Sequence, residues 1–310
     1  MRQKLKKGLM FTLPVLVAIG LWSSVYAQDE VEETRSERVM VSPDVDSEAL
    51  AKALPEQAIW LENERSGRAL ALFEAEQTAQ PKGAVLLLAD EGQSANTGLA
   101  GAIREPFAEA GWAAMTLGLP ALPLVLDQAR RAKQLQRSAV SEESASAEGQ
   151  LDDEQETEAV MIDVMDSDEL AKLGEDYQAR VQARLTMAVD ELTERGYERL
   201  VLVGIGRGAS HVISHLAEGT AAQAAVVMIG AEFESAEGQP MIDTLKAVPG
   251  LSLLDIVSSR SGLAGAKARQ SRMKREGVAG YQQRAFAMGV RPLPRDARGL
   301  VNRMTGWLRS

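Results

Sequence analysis

One turn in the chain carries residue types that could do chemistry, and it joins an apolar strand to a helix: LVLVGIGRGA at residues 200–209. Glycine at alternate positions allows a sharp turn and close packing of the helix against the strand. Two motifs share this outline. In a nucleophile elbow, G-x-S-x-G, a central serine stands exposed at the end of the strand. In a dinucleotide-binding turn, G-x-G-x-x-G/A, a pyrophosphate lies on the N-terminus of the helix.

The position of this turn in the chain favours the nucleophile elbow. A dinucleotide turn usually opens its fold and needs an acidic residue about 20 positions further on, after the next strand. Here at least three apolar strands precede the turn, and the first acidic residue beyond the next strand is Glu232. Because Gly204, Gly206 and Ala209 match the dinucleotide pattern, that interpretation stays as the alternative.

The elements around the turn alternate between strands and helices. Short apolar runs predict strands at 58–61, 69–73, 84–89, 112–117, 200–203, 224–229 and 251–257. Helical spacing and glycine stops predict helices at 101–110, from 177 to 196, from 208 to 217 and after 296. This order predicts an α/β-hydrolase-like three-layer sandwich, with a mostly parallel central sheet and helices on both faces.

A serine-hydrolase triad is incomplete in this sequence. The central position of the elbow is Gly206, which offers no hydroxyl group. The two histidines, His211 and His215, both lie on the helix directly after the elbow, whereas the catalytic base would follow the last strand. We therefore predict no catalytic residue. The alternative is an esterase-like hydrolase with an unconventional constellation of Asp90, Ser94 and Asp255.

A ligand crevice is expected where the carboxyl ends of the strands meet. The predicted crevice residues are Asp90, Glu91, Gly92, Gln93, Ser94, Gly206, Arg207, Asp255 and Ser258. Arg207 at the start of a helix favours a small anionic ligand, unless it pairs with a surface acid. We predict no cofactor and no metal, since the two histidines lack a third ligand and the chain has no cysteine.

Several segments resemble an uncharacterised family of exported proteobacterial proteins, a domain of unknown function within the α/β-hydrolase superfamily. They are GAVLLLADEGQ at 83–93, FAEAGW at 107–112, LGLP at 117–120, LLDIVSSR at 253–260, YQQR at 281–284 and GWL at 306–308. The resemblance spans about residues 58–308, apart from an acidic insertion. It implies the same fold and is silent on substrate.

Residues 1–27 have the pattern of a secretory signal peptide. Four basic residues precede an apolar run at 9–21, and the small-residue pattern Val25-Tyr26-Ala27 ends the segment. A 13-residue apolar core is shorter than the roughly 20 residues that span a bilayer. The mature protein is therefore predicted to be periplasmic, with no integral membrane domain. An uncleaved inner-membrane anchor is the alternative.

Charge is distributed unevenly along the rest of the chain. Residues 28–55 predict a flexible acidic lead-in to one domain at 56–310, and a low-complexity insertion at about 128–168 predicts disorder. Residues 141–169 hold 12 acidic and no basic residues, while 260–310 hold 12 basic against two acidic residues. This asymmetry indicates an anionic envelope component as a further candidate partner. Export and an aromatic content of 4% argue against nucleic acid.

Overall fold

The computed structural model describes residues 45–63, 67–146, 167–217, 225–234, 237–248, 250–260 and 262–309. The predicted signal peptide and residues 28–44 of the predicted lead-in lie outside these residues. The strands are β1 Ala58–Asn63, β2 Gly67–Glu74, β3 Ala84–Glu91, β4 Ala113–Leu119, β5 Leu200–Ile205, β6 Ala225–Ile229, β7 Ser252–Ser258 and β8 Tyr281–Phe286. The helices are α1 Val45–Ala53, α2 Gly98–Glu109, α3 Leu124–Ser146, α4 Ser167–Glu194, α5 Gly208–Ala217, α6 Gly238–Ala247, α7 Leu263–Arg275 and α8 Ala297–Trp307.

The described strands form one eight-stranded sheet in the order β1-β2-β4-β3-β5-β6-β7-β8. Strand β2 runs antiparallel to β1 and β4. The other six strands, β4, β3, β5, β6, β7 and β8, are parallel to one another. The central strands β3, β5 and β6 are continuous apolar runs because helices cover both of their faces. The predicted mostly parallel sheet is confirmed.

Helices cover the sheet on both faces, which completes the predicted three-layer sandwich. Helices α4, α5, α6 and α7 bury apolar side chains on one face, among them Leu185, Val212 and Ile242. Helices α2 and α8 cover the other face with residues such as Phe107 and Leu300. Among the described residues, no helix combines the length and apolar character needed to cross a membrane.

The predicted flexible lead-in at 28–55 is wrong for its last part, where the chain forms α1. Leu50, Ala51 and Leu54 of this segment pack against the apolar cluster that contains Leu70 and Leu72 of β2. The spacing of Leu50 and Leu54 puts both side chains on one helix face, so the segment has an apolar stripe to bury. The folded domain therefore begins before residue 56.

At the two ends of the predicted insertion at about 128–168, the residues that the structure describes are helical. Helix α3 continues to Ser146, and α4 begins at Ser167 rather than near Tyr177. Asp127 forms ion pairs with Arg130 and Arg131, at the i,i+3 and i,i+4 spacings that stabilise a helix surface. These pairs support the first turns of α3. Residues 147–166 lie outside the described residues.

Candidate functional site

The turn between β5 and α5 has the backbone of a nucleophile elbow. Gly206 adopts a left-handed conformation with φ of +53°. At Gly208, a β-carbon would lie 2.5 Å from the carbonyl oxygen of Ala89, so the helix can approach β3 only without a side chain there. The turn therefore brings the start of α5 against the end of β3.

The carboxylate of Asp90 fills the space that a nucleophile side chain would take. A β-carbon on Gly206 would lie 2.3 Å from Oδ1 and 2.5 Å from Cγ of Asp90. The Asp90 residue is 6% exposed, and its Oδ1 accepts hydrogen bonds from the backbone N–H groups of Arg207 at 3.0 Å and Glu91 at 2.9 Å. The absence of a side chain at Gly206 thus leaves the space that the buried carboxylate of Asp90 fills.

One of the two N–H groups that bind Asp90 holds the position of an oxyanion-hole donor. In hydrolases with a nucleophile elbow, one donor belongs to the residue after the nucleophile and the other to the segment between the third strand and its helix. Arg207 occupies the first place, and Glu91, the last residue of β3, lies directly before the second. The Arg207 N–H, at the helix N-terminus considered for a small anionic ligand, donates to the chain's own Asp90.

A network of ion pairs lies beside this turn and ties α3 to it. Arg130 of α3 binds both carboxylate oxygens of Glu91, at 3.0 and 2.6 Å. Its hydrogen bond to Glu91 is the largest cause that raises the pKa of Arg130 above its ordinary value. Arg207 pairs with Glu234 at 3.2 Å, and Arg130 lies 3.8 Å from the same carboxylate. The guanidinium of Arg207 is therefore paired with an acid.

Gly92 and Gln93 shape the turn that follows Asp90. The N–H of Gly92 donates to the carbonyl of Leu119, and the N–H of Gln93 donates to the carbonyl of Asp90, both at 3.0 Å. Gln93 also forms an isolated bridge with Leu119. These backbone bonds tie the end of β3 to the end of β4.

Ser94 and Glu232 make separate contacts near the ends of β3 and β5. The Oγ of Ser94 is 2.7 Å from the Oγ1 of Thr97, just before α2, and the side chain lines a narrow cleft beside α1. The N–H of Glu232 donates to the carbonyl of Gly206 at 3.1 Å. Glu232 therefore meets the elbow through its backbone, whereas Ser94 is directed to the helix N-terminus.

Asp255 and Ser258 belong to the packing of β7 rather than to the Asp90 turn. Asp255 is fully buried and accepts hydrogen bonds from Arg269 at 2.8 Å, Tyr281 at 2.7 Å and Gln283 at 3.0 Å. The Oγ of Ser258 donates to the carbonyl of Met288 at 2.7 Å. The structure thus uses both side chains to join β7 to α7, β8 and the loop that follows.

The two histidines are buried on α5. Burial lowers the pKa of His211 to about 4. The His211 ring packs edge-on against that of Tyr177, with 5.7 Å between the two ring centroids. Burial also lowers the pKa of His215. Within the described segments, no group of three or more His, Asp or Glu side chains is arranged to hold a metal ion.

Three charged residues near the turn were missed by sequence reasoning: Arg130, Glu234 and Arg291. Arg291 lies in the loop after β8, with its Nε 3.9 Å from Oδ2 of Asp90. The spacing of Asp127 to Arg130 and Arg131 was an available signal for a helix in this segment. No pattern in the sequence indicates that Glu234 lies beside Arg207 or that Arg291 lies near Asp90.

The fold is shared with solved esterases at very low identity. The esterase domain of a Rhodothermus marinus protein aligns with a TM-score of 0.50 and 12% identity, over 81% of this chain and 97% of that one. Est1E from Butyrivibrio proteoclasticus aligns with a TM-score of 0.51 and 7% identity, over 82% of this chain and 98% of that one. These likenesses establish the predicted α/β-hydrolase fold and nothing beyond the fold.

Sequence comparison places the chain in a family. No curated protein sequence matches it. The family described as "Protein of unknown function (DUF3530)" matches residues 12–310, which is nearly the whole chain. This confirms the resemblance to an uncharacterised family, a domain of unknown function. The chain belongs to the DUF3530 family of proteins of unknown function.

Proposed function

We propose that this protein is a non-catalytic ligand-binding member of the α/β-hydrolase superfamily. The observation that carries the proposal is the Asp90 carboxylate, which lies where a nucleophile side chain would stand. It accepts the N–H of Arg207, an oxyanion-hole position, and the N–H of Glu91 at the end of β3. Acyl transfer needs the Arg207 donor for the oxyanion of the tetrahedral intermediate. A substrate would have to displace a buried carboxylate held by two hydrogen bonds before the reaction could begin.

Asp90 is itself poorly suited to nucleophilic attack. Its Oδ1 already accepts two backbone hydrogen bonds, which stabilise the negative charge of the resting carboxylate. The Arg207 N–H would have to leave Asp90 to stabilise an oxyanion on the substrate. The alternative hydrolase built from Asp90, Ser94 and Asp255 has little support, because each side chain belongs to a different set of hydrogen bonds.

The test is hydrolysis of p-nitrophenyl esters of short to long acyl chain by the purified mature protein. We expect no turnover above the uncatalysed rate, and no serine labelled by a fluorophosphonate. Asp90→Asn and Ser94→Ala serve as the matched controls. Turnover that disappears in either variant would overturn the non-catalytic role and identify the nucleophile.

We also propose that the protein is exported to the periplasm of a double-membraned bacterium. The support is the order of basic residues, apolar run and small residues at 1–27. Mass spectrometry of the protein from a periplasmic extract is expected to find Gln28 as the first residue. Recovery of the full-length chain from the inner-membrane fraction would favour the uncleaved anchor instead.

A further inference from the structure

A cavity of about 210 Å³ opens between α5 and α6, beside the elbow. Ile213 and Met241 are buried at its base, and Phe233 forms part of its wall. The cavity is separate from the hydrogen bonds around Asp90, since its lining comes from α5, α6 and the segment that leads into α6. Its size suits a small organic molecule rather than a lipid or a peptide, because pockets for drug-sized ligands measure about 300–1,000 Å³.

One acidic side chain and three hydroxyl groups face this apolar space. The acid is Glu237, and the hydroxyls belong to Ser210, Ser214 and Thr244. One carboxylate oxygen of Glu237 accepts a hydrogen bond from the N–H of Glu234 at 2.5 Å. The Oγ of Ser210 donates to the carbonyl of Arg207 at 3.0 Å. The polar groups are therefore fixed in place around the cavity.

The negative charge of Glu237 has no ion-pair partner among the described residues. The nearby guanidinium of Arg207 binds Glu234, and that of Arg130 binds Glu91. Burial raises the pKa of Glu237, and the neighbouring Glu234 carboxylate adds to this. The backbone hydrogen bond from Glu234, the positive charge of Arg207 and a hydrogen bond from Ser210 offset the rise only in part. A cation placed in the cavity would therefore meet a carboxylate that gains more from it than an already paired acid would.

We propose that this cavity binds a small organic cation with an apolar body and one protonated amine. The ammonium group pairs with Glu237 and donates to the hydroxyls of Ser210 and Ser214, while the apolar body packs against Phe233 and Met241. This inference rests on the proposed binding function, since Asp90 occupies the elbow and a ligand needs another site.

The probe is 2-phenylethylamine, compared by calorimetry with 2-phenylethanol and 3-phenylpropionate on the wild-type protein. We expect the amine to bind at least tenfold more tightly than the alcohol, and the carboxylate to bind more weakly still. Glu237→Gln is expected to weaken the amine at least tenfold and leave the alcohol unchanged. Asp243→Asn, an exposed acid on α6 outside the cavity, is the matched control and should bind the amine as the wild type does.

Ser214→Phe fills the cavity and is expected to abolish binding of both the amine and the alcohol. Equal affinity of the wild type for all three probes, or no binding of the amine, would overturn the inference without any variant. Unchanged amine binding by Glu237→Gln or Ser214→Phe would overturn it as well. Ester turnover would instead defeat the non-catalytic role and leave amine binding untouched, so the two failures are distinguishable.

Discussion

At residue scale, the backbone at position 206 and the side chain of Asp90 depend on each other. The left-handed conformation of Gly206 costs little without a β-carbon, and the absent side chain leaves room for the carboxylate. Asp90 in return accepts the N–H of Arg207 at the first turn of α5, a place that favours negative charge. A change at either residue therefore acts on both.

A double-mutant cycle measures this dependence. Gly206→Ala is expected to lower the free energy of unfolding by about 3–5 kcal/mol, because it adds left-handed strain and pushes Asp90 off its two hydrogen bonds. In the Asp90→Ala background the same change should cost only about 1–2 kcal/mol, the strain alone. Urea unfolding of the wild type, the two single variants and the double variant gives the coupling free energy between positions 206 and 90. Strictly additive effects would contradict the steric pairing of the two residues.

His211 makes stability depend on pH. Its folded pKa of about 4 lies below the ordinary value of 6.5, so above pH 6.5 the ring is neutral in both states and stability is highest. As the pH falls from 6.5 towards 4, the His211 ring binds a proton in the unfolded chain and stays mostly neutral in the folded protein. The free energy of unfolding should fall by about 2 kcal/mol between pH 7.5 and 5 from this residue.

The His211→Gln variant isolates this contribution, since glutamine does not titrate. Urea unfolding at pH 7.5 and 5 is expected to show a smaller decrease for the variant than for the wild type. The pH dependence due to His215 and the carboxylates should persist in both proteins. An identical decrease in the two proteins would show that His211 does not carry the effect.

At the scale of elements, Arg130 ties α3 to the end of β3. Arg130 is 14% exposed and binds Glu91 with two hydrogen bonds, whereas Arg131 is 74% exposed and pairs with Asp127 of its own helix. A mostly buried ion pair with two hydrogen bonds contributes more to stability than an exposed ion pair does. Arg130 should therefore determine whether α3 stays docked.

Hydrogen exchange tests this attachment with two neighbouring arginines. Arg130→Ala is expected to speed amide exchange in the first half of α3 about tenfold or more, the effect of losing ~1.4 kcal/mol or more of local stability. Arg131→Ala, the matched control, should change exchange less than about threefold. Similar exchange in the two variants would mean that α3 is held by other contacts.

The same elements mark how far the sequence could predict the structure. Buried parallel strands such as β3 and β5 are apolar runs, and their ends must meet at one edge of the sheet, so Asp90 and Gly206 could be placed near each other. The edge strand β8 is half-exposed and polar, and it has no apolar run to reveal it. The carboxylate position of Asp90 and the Glu91 partner of Arg130 depend on tertiary packing, which local spacing does not encode.

At the scale of the whole molecule, the described domain begins with a helix that seals one end of the sheet. Helix α1 covers β1 and β2, the antiparallel pair at this edge of the sheet. Leu50 and Leu54 provide the apolar contacts, and the carbonyl of Leu54 accepts the N–H groups of Gln57 and Ala58 as the chain enters β1. This end of the sheet should therefore lose stability when α1 is removed.

A comparison of residues 45–310 with residues 56–310 tests this boundary by thermal unfolding. The shorter chain exposes Trp60 and Leu70, and we expect it to lose about 2–3 kcal/mol, which lowers Tm by roughly 5–10 °C in a domain of this size. Leu50→Asp in the longer chain should reproduce most of the decrease, since it places a charge against Leu70 and Leu72. Glu48→Ala, at an exposed position of the same helix, should leave Tm unchanged. An equal Tm for the two chain lengths would place the start of the cooperative fold at β1, because α1 would then contribute nothing to the apolar cluster that it covers.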